Sequence, residues 1–247
     1  GSVLSPRFNA SFDLIPHTLT LSGGYGITSK MPTLLYLYPE KAYFEYVNIN
    51  ELANESIPEN ERLFMTTTKV YDTSNENLKV AKNHKAEIGL RLNIGKVSAS
   101  VTAFQERLKN GYSLDNTFSS FNSFSYKEYT RNENGDLVLA SNLPVLNSYY
   151  TPTNNMNVQT QGIEFDVNVG RIDAIRTSFQ LNGAWMRTQS WNNGYDFYDN
   201  SGTSASSRTP VAIYEAGAVK SYRQQLATTL RATHNIPEIG FVVTLTT

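Results

Sequence analysis

The sequence contains no cysteine, which excludes disulfides and thiolate metal sites. Histidine is nearly missing too. His17, His84 and His234 stand far apart, without HExxH or any other close ligand spacing, so no zinc motif is present. No apolar run approaches the roughly 18 residues that a membrane-spanning helix needs. Neither sign of charge is in surplus: 21 Lys and Arg face 22 Asp and Glu, for a formal charge of -1. That balance removes the basic footprint of a nucleic-acid-binding protein. Phosphate-binding glycine loops are also lacking. Gly23-Gly24-Tyr25-Gly26 sits in a strand pattern without GxGxxG spacing, and Gly95-Lys96-Val97 lacks the Ser or Thr of a P-loop. We therefore expect no metal, no cofactor, no nucleic-acid partner and no enzymatic chemistry.

What the sequence does have is alternation. Mean hydropathy is -0.38, ordinary for a soluble protein. In a β-barrel, however, only every second strand residue meets lipid, so average hydropathy cannot exclude one. Side chains alternate faces along a strand, and eight segments keep one apolar parity. Phe8, Ala10, Phe12 and Leu14 oppose Arg7, Asn9, Ser11 and Asp13. Leu19, Leu21, Gly23 and Tyr25 oppose Thr18, Thr20, Ser22 and Gly24. Ala86, Ile88, Leu90 and Leu92 oppose Lys85, Glu87, Gly89 and Arg91. Val97, Ala99, Val101 and Ala103 oppose Ser98, Ser100 and Thr102. The same holds for Ile163, Phe165, Val167 and Val169 against Glu164, Asp166 and Asn168, and for Ile175, Phe179, Leu181 and Trp185 against Arg176, Ser178, Gln180 and Asn182. Leu226, Thr228 and Leu230 continue it, and Phe241, Val243 and Leu245 begin an eighth segment.

The charges in the middle of these strands all lie on the polar parity. An Arg or Lys facing mid-bilayer lipid would cost about 2–4 kcal/mol, so a lipid-facing sheet requires this sorting. A soluble β-sandwich would sort its residues in the same way. Length and connectivity favour the barrel. Alternation persists beyond the usual five or six residues of soluble strands, toward the 9–11 of spanning ones. Short turns near Ile15-Pro16-His17, Gly95-Lys96, Arg171-Ile172-Asp173 and Asn235-Ile236-Pro237 also alternate with long connections at about 28–81, 108–157 and 188–217. That is the asymmetry of short periplasmic turns and long extracellular loops.

We expect an all-β, antiparallel transmembrane β-barrel segment of about eight strands, with the lipid bilayer on its apolar side. Arg7, Glu87, Arg91, Glu164, Asp166 and Arg176 would face the lumen, with Glu164 and Asp166 paired to Arg176 or other lumen cations. Tyr25, Phe104, Tyr112, Trp185, Trp191 and Tyr222 fit interfacial girdles. The chain opens without a secretory leader, and Phe241 to Thr247 stop within a strand pattern, so we expect an internal segment of a longer polypeptide. The long connections are too aromatic for disorder and should fold with hairpins of their own, Asn134-Gly135 being a strong turn signal. Tyr36, Tyr38, Tyr43, Tyr46, Trp191, Tyr195, Phe197 and Tyr198 are candidate ligand contacts there; the alternative is that they pack the loops together.

Two stretches carry a resemblance: Tyr25-Gly-Ile-Thr-Ser-Lys30-Met-Pro32-Thr-Leu34-Leu-Tyr-Leu-Tyr38-Pro39, and Thr66-Thr-Thr-Lys-Val-Tyr71-Asp-Thr-Ser-Asn75 followed by Lys85-Ala-Glu87-Ile-Gly89-Leu. Both resemble a strand entering and leaving an extracellular loop in TonB-dependent outer-membrane receptors. The resemblance implies a 22-stranded barrel in the cell outer membrane, closed by a plug domain and energised through TonB, that imports a small solute such as a glycan, peptide or chelate. SusC-type relatives add a surface lipoprotein as partner. Neither the plug domain nor its TonB-contact segment is in this chain, so no plug residue carries over. A passive porin-like channel and a secreted β-rich adhesin or glycan-binding module remain the alternatives.

Overall fold

The computed structural model describes residues 3–199 and 211–247. In chain order the strands are β1 (Arg7–Ile15), β2 (Leu19–Lys30), β3 (Ala42–Asn50), β4 (Phe64–Tyr71), β5 (Ala81–Ile94), β6 (Val97–Asp115), β7 (Phe121–Arg131), β8 (Leu137–Ser148), β9 (Thr151–Ile172), β10 (Thr177–Asn192), β11 (Asp196–Asp199), β12 (Val211–Tyr214), β13 (Lys220–Ile236) and β14 (Phe241–Thr246). A four-residue helix, α1 (Leu34–Leu37), interrupts the first long connection.

Eight strands form one open antiparallel sheet in the order β1-β2-β5-β6-β9-β10-β13-β14. The other six pair as three separate hairpins, β3–β4, β7–β8 and β11–β12, one inside each long connection. Strands that are neighbours in the sheet are thus neighbours in sequence once the loop hairpins are set aside. Simple up-and-down topology of this kind needs no crossing connection.

Register turns the alternation into two faces. The row Ala10, Gly23, Ile88, Ala103, Ile163, Trp185, Leu226 runs across seven strands, residue opposite residue. Beside it runs Phe12, Leu21, Leu90, Val101, Phe165, Gly183, Thr228. The opposite face carries Asp13, Thr20, Arg91, Ser100, Asp166, Asn182, Thr229. No second sheet covers the apolar rows: Phe8, Phe12, Ile88 and Leu226 are 69%, 72%, 58% and 66% exposed. Among the described residues few apolar side chains are buried, Ile49, Ala81, Tyr112 and Pro152 among them, and none belongs to the apolar rows. A sandwich would have enclosed this face.

Tight turns close one end of the sheet. Gly95 adopts φ +57 in the two-residue turn between β5 and β6, which suits the left-handed geometry of primed hairpin turns. Neighbouring turns are tied together. Lys96 Nζ lies 2.6 Å from Asp173, and the Gly170 N–H donates to the Lys96 carbonyl at 2.9 Å. At the other end the strands overrun the expected loop boundaries. β6 continues to Asp115 and β9 starts at Thr151, so the second connection is shorter than expected and β9 reaches 22 residues. At about 3.3 Å per residue it is far longer than the roughly 30 Å hydrocarbon layer.

Three local expectations are corrected. The turn between β9 and β10 lies at 173–176, because β9 keeps its strand form to Ile172 behind a bulge that opposes Ser178. Arg176 therefore sits in that turn, with φ +53, and not in a strand. Phe104 lies on the polar face between Glu87 and Gly162, not in an outward girdle. Tyr112 is buried: a bulge at Asn110, with φ +55, breaks the parity of β6 and turns the ring under the first loop.

Candidate ligand-contacting loops and polar face

The polar face is a ladder of paired groups. Its outermost clear row runs Arg7, Gly26, Lys85, Glu106, Thr160, Thr188, Arg223. Lys85 Nζ bridges Glu87 at 3.2 Å and Glu106 at 3.6 Å, Asn83 donates to Glu106 at 3.3 Å, and Thr160 meets Thr188 at 3.1 Å. Glycines at 24 and 26 leave a hollow of about 400 Å³ over this row, lined by Arg7, Asn9, Lys85, Glu87 and Glu106. A second hollow of about 470 Å³, lined by Ser22, Glu87, Gly89, Thr102 and Glu164, adjoins it. The structure thus brings Arg7 and Glu87 together and places Glu164 beside Glu87. Asp166 accepts from Gln180 at 3.1 Å on the same face, and Arg91 stands in its row. Arg176 joins none of these. Its guanidinium pairs with Glu238 in the next short turn, because the turn lifts it off the strand.

At the other end the loop hairpins assemble from aromatic and charged contacts. Tyr46 packs between Phe124 and Tyr126, with ring centroids 5.1 and 5.0 Å away, and its hydroxyl donates to Asn147. Burial raises the Tyr46 phenol above its ordinary value. Tyr71 stacks on Tyr149 at 5.2 Å, and Asn48 donates to the Lys127 carbonyl at 2.6 Å. These contacts lock β3–β4 of the first connection onto β7–β8 of the second. Tyr36 of α1 lies 5.3 Å from Tyr112. The Tyr112 hydroxyl accepts from the Ala81 N–H at 3.2 Å and lies 2.8 Å from the Lys79 carbonyl, so it latches the end of β5 under the loop. Phe197 meets Phe121 at 5.6 Å, which ties the third connection to the second.

The eight candidate aromatics therefore divide. Tyr36, Tyr46 and Phe197 are packed within the loops, and Trp191 lies at the end of β10 opposite Lys220. Tyr38, Tyr43, Tyr195 and Tyr198 are 77%, 65%, 57% and 53% exposed. A groove of about 540 Å³ between the two locked hairpins, lined by Asn48, Thr67, Lys69, Tyr126 and Tyr129 among others, was not anticipated. Lys69 Nζ lies 5.0 Å above the Phe124 ring beside it. The only local signal for the groove was the Thr-rich run from Thr66 to Thr68, which says nothing about what lies opposite.

No curated protein matches the chain. Among solved structures, the chain is similar to the siderophore receptor PirA from Acinetobacter baumannii, with 15% identity and a TM-score of 0.41, over 94% of this chain and 34% of that one. The chain thus spans about a third of that receptor's length. The family model for the TonB dependent receptor-like β-barrel matches residues 1–236, nearly the whole length, and the chain belongs to that family.

Proposed function

We propose that this chain is part of the wall and extracellular vestibule of an outer-membrane, TonB-dependent transporter that imports a small solute. The observation that carries the reading is the bare apolar face: the charges level with its rows, Glu87, Arg91, Glu164 and Asp166, sit on the other side, and outward cations begin only above those rows. Hydrocarbon satisfies that face, and a water-filled lumen satisfies the ladder of Arg7, Lys85, Glu87, Glu106 and Asp166. The tight turns then form the periplasmic rim and the hairpin-bearing connections the extracellular one. A plug domain and TonB, supplied outside this chain, gate and energise passage. Solute is captured by the exposed Tyr38, Tyr43, Tyr195 and Tyr198 and moves along polar walls without covalent chemistry. If the receptor is of the SusC type, a surface lipoprotein covers the loops, where Leu34, Leu35 and Tyr38 present an apolar edge.

The test uses the complete receptor. Because this segment has no native cysteine, single cysteines at Ile88 and Phe165 should be quenched by nitroxide-labelled lipid after fluorescent labelling, while those at Thr102 and Ser22 should not. Solute uptake should stop when TonB is deleted. Quenching at Thr102 in place of Ile88 would reverse the sidedness, and uptake independent of TonB would favour a passive channel.

A further inference from the structure

Above the apolar rows, the outward face changes character within one step of register. On the face that carries Ile88, β5 continues upward with His84 and Lys82, and β6 with Gln105, Arg107 and Lys109. Lys82 stands directly opposite Lys109, and His84 directly opposite Arg107. The same face of β9 and β10 carries Gln161, Gln159, Arg187 and Gln189 at this level. No Asp or Glu occupies the outward parity of β5, β6, β9, β10 or β13 in this zone.

Like charges placed opposite each other across a strand pair destabilise a sheet. Here Lys82 and Lys109 form such a pair, and Arg107 stands one step along the same face. Among the described residues, Lys82, Arg107 and Lys109 have no ion-pair partner. His84 binds the Tyr25 hydroxyl at 2.8 Å. Lys82, Arg107 and Lys109 are exposed. The chain's acids lie elsewhere: Glu87 and Glu106 point their charge to the opposite face, where they hold Lys85. The cluster is thus a compact, uncompensated cationic patch, and it is continuous with the surface assigned to hydrocarbon. Tyr222 flanks it in the row of Arg107 and Tyr25 lies one row below, as boundary aromatics do.

We propose that Lys82, Arg107 and Lys109, with His84 at the edge, form a binding site for phosphate-bearing lipid headgroups of the outer leaflet. This rests on the membrane reading above. A phosphate between the opposed strands neutralises the Lys82–Lys109 pair, and Arg107 beside it offers a planar fork matched to phosphate oxygens. A lipid is the occupant, and not a free anion, because the site opens onto the apolar rows. Headgroup and acyl chain can then be satisfied by adjoining parts of one surface.

The complete receptor would be reconstituted into phosphatidylcholine vesicles with or without bis-phosphorylated lipid A, for the wild type and the Lys82→Gln/Arg107→Gln/Lys109→Gln variant. Flotation reports insertion, and mass spectrometry of the detergent-extracted protein reports retained lipid A. Both proteins should insert. The variant should bind lipid A about 100-fold more weakly, the effect of removing three cations near an anionic lipid surface. Lys82→Arg/Lys109→Arg should bind like the wild type, and inorganic phosphate should not displace the lipid. Equal retention by wild type and triple variant overturns the site. Displacement by inorganic phosphate alone assigns it to a free anion and overturns the lipid. Failure of the wild type to insert overturns the membrane reading itself. If the triple variant fails to insert, Lys109→Gln alone is held to the same criterion, with about a five-fold loss expected.

Discussion

Arg131 grips Glu51 fork to fork across 80 residues of sequence, with Nε 2.8 Å from one carboxylate oxygen and Nη2 3.1 Å from the other. The same guanidinium donates to the carbonyls of Gly135 and Glu61, each at 2.9 Å, and the carboxylate accepts the Leu63 N–H at 3.0 Å. A planar, bidentate pair fixes orientation as well as distance. It joins the end of β7 to the stretch after β3, so two connections that are separate in sequence behave as one unit.

Removing this grip should loosen both hairpins together. Arg131→Ala is expected to lower amide-exchange protection across β3, β4, β7 and β8 by about ten-fold while leaving β5 and β6 unchanged, since only the loop contacts are lost. Protection that falls in β7 and β8 alone would show that the hairpins are not coupled. The pH dependence has a definite sign. Its hydrogen bond with Arg131 holds the Glu51 carboxyl below its ordinary value of 4.5. The coupling is therefore complete above about pH 4.5 and is lost as the pH falls through the lower folded value. Exchange followed at successively lower pH from pH 7 should show the hairpins opening before the sheet.

Gly162 and Gly183 are occupied by neighbouring rings. A Cβ on Gly162 would lie 2.6 Å from the Trp185 carbonyl oxygen and 2.9 Å from the Phe104 ring, and one on Gly183 would lie 2.6 Å from Phe165. Cross-strand phenylalanines cover both positions. Gly162→Ala should cost about 1–3 kcal/mol through overpacking, visible as a lower unfolding temperature in detergent. Gly95→Ala, a site with no neighbour within 4 Å, should show only the smaller strain of a left-handed residue. Equal shifts for the two would refute the packing account.

Sidedness predicts a contrast between adjacent residues. Ile88→Arg should impair folding into vesicles by about 2–4 kcal/mol if it meets lipid at mid-membrane. Glu87→Gln should insert normally while disturbing the Lys85 bridge. Refolding yield against lipid thickness would separate them, and normal insertion of Ile88→Arg would count against a lipid-facing row.

The loop aromatics should separate by what they touch. Tyr195→Ala and Tyr198→Ala remove exposed rings and should weaken solute affinity by about ten-fold each if they are anchors; Tyr195→Ala should leave loop exchange unchanged, while Tyr198→Ala also removes the edge contact with Tyr214 and should loosen only β11–β12. Tyr46→Ala leaves the Phe124 and Tyr126 rings uncovered and should lower hairpin protection first. Calorimetric titration together with exchange distinguishes these outcomes. An unchanged affinity for the Tyr195 and Tyr198 variants would remove them from the site.

Much of this was legible in the chain because a strand writes its two faces locally. Leu90 beside Arg91, or Phe165 between Glu164 and Asp166, needs only period-two counting, and the parity held except where bulges in β6 and β9 shift it. Two short turns were legible for the same reason, since Pro16-His17 and Gly95-Lys96 interrupt the pattern where they stand. Arg176 was misplaced because a bulge costs one residue of parity and leaves no local mark. Tyr112 was misplaced because its surroundings come from Tyr36, Lys79 and Ala81, far upstream.

Alternation thus sorted the residues of unbulged strand into an apolar and a polar face, since that depends only on backbone geometry between neighbours. Long-range register decided what stands next to what: Lys82 against Lys109, Phe104 over Gly162, Glu51 in the fork of Arg131. Those pairings join residues tens of positions apart, and their energies depend on contact distance, which sequence separation does not encode.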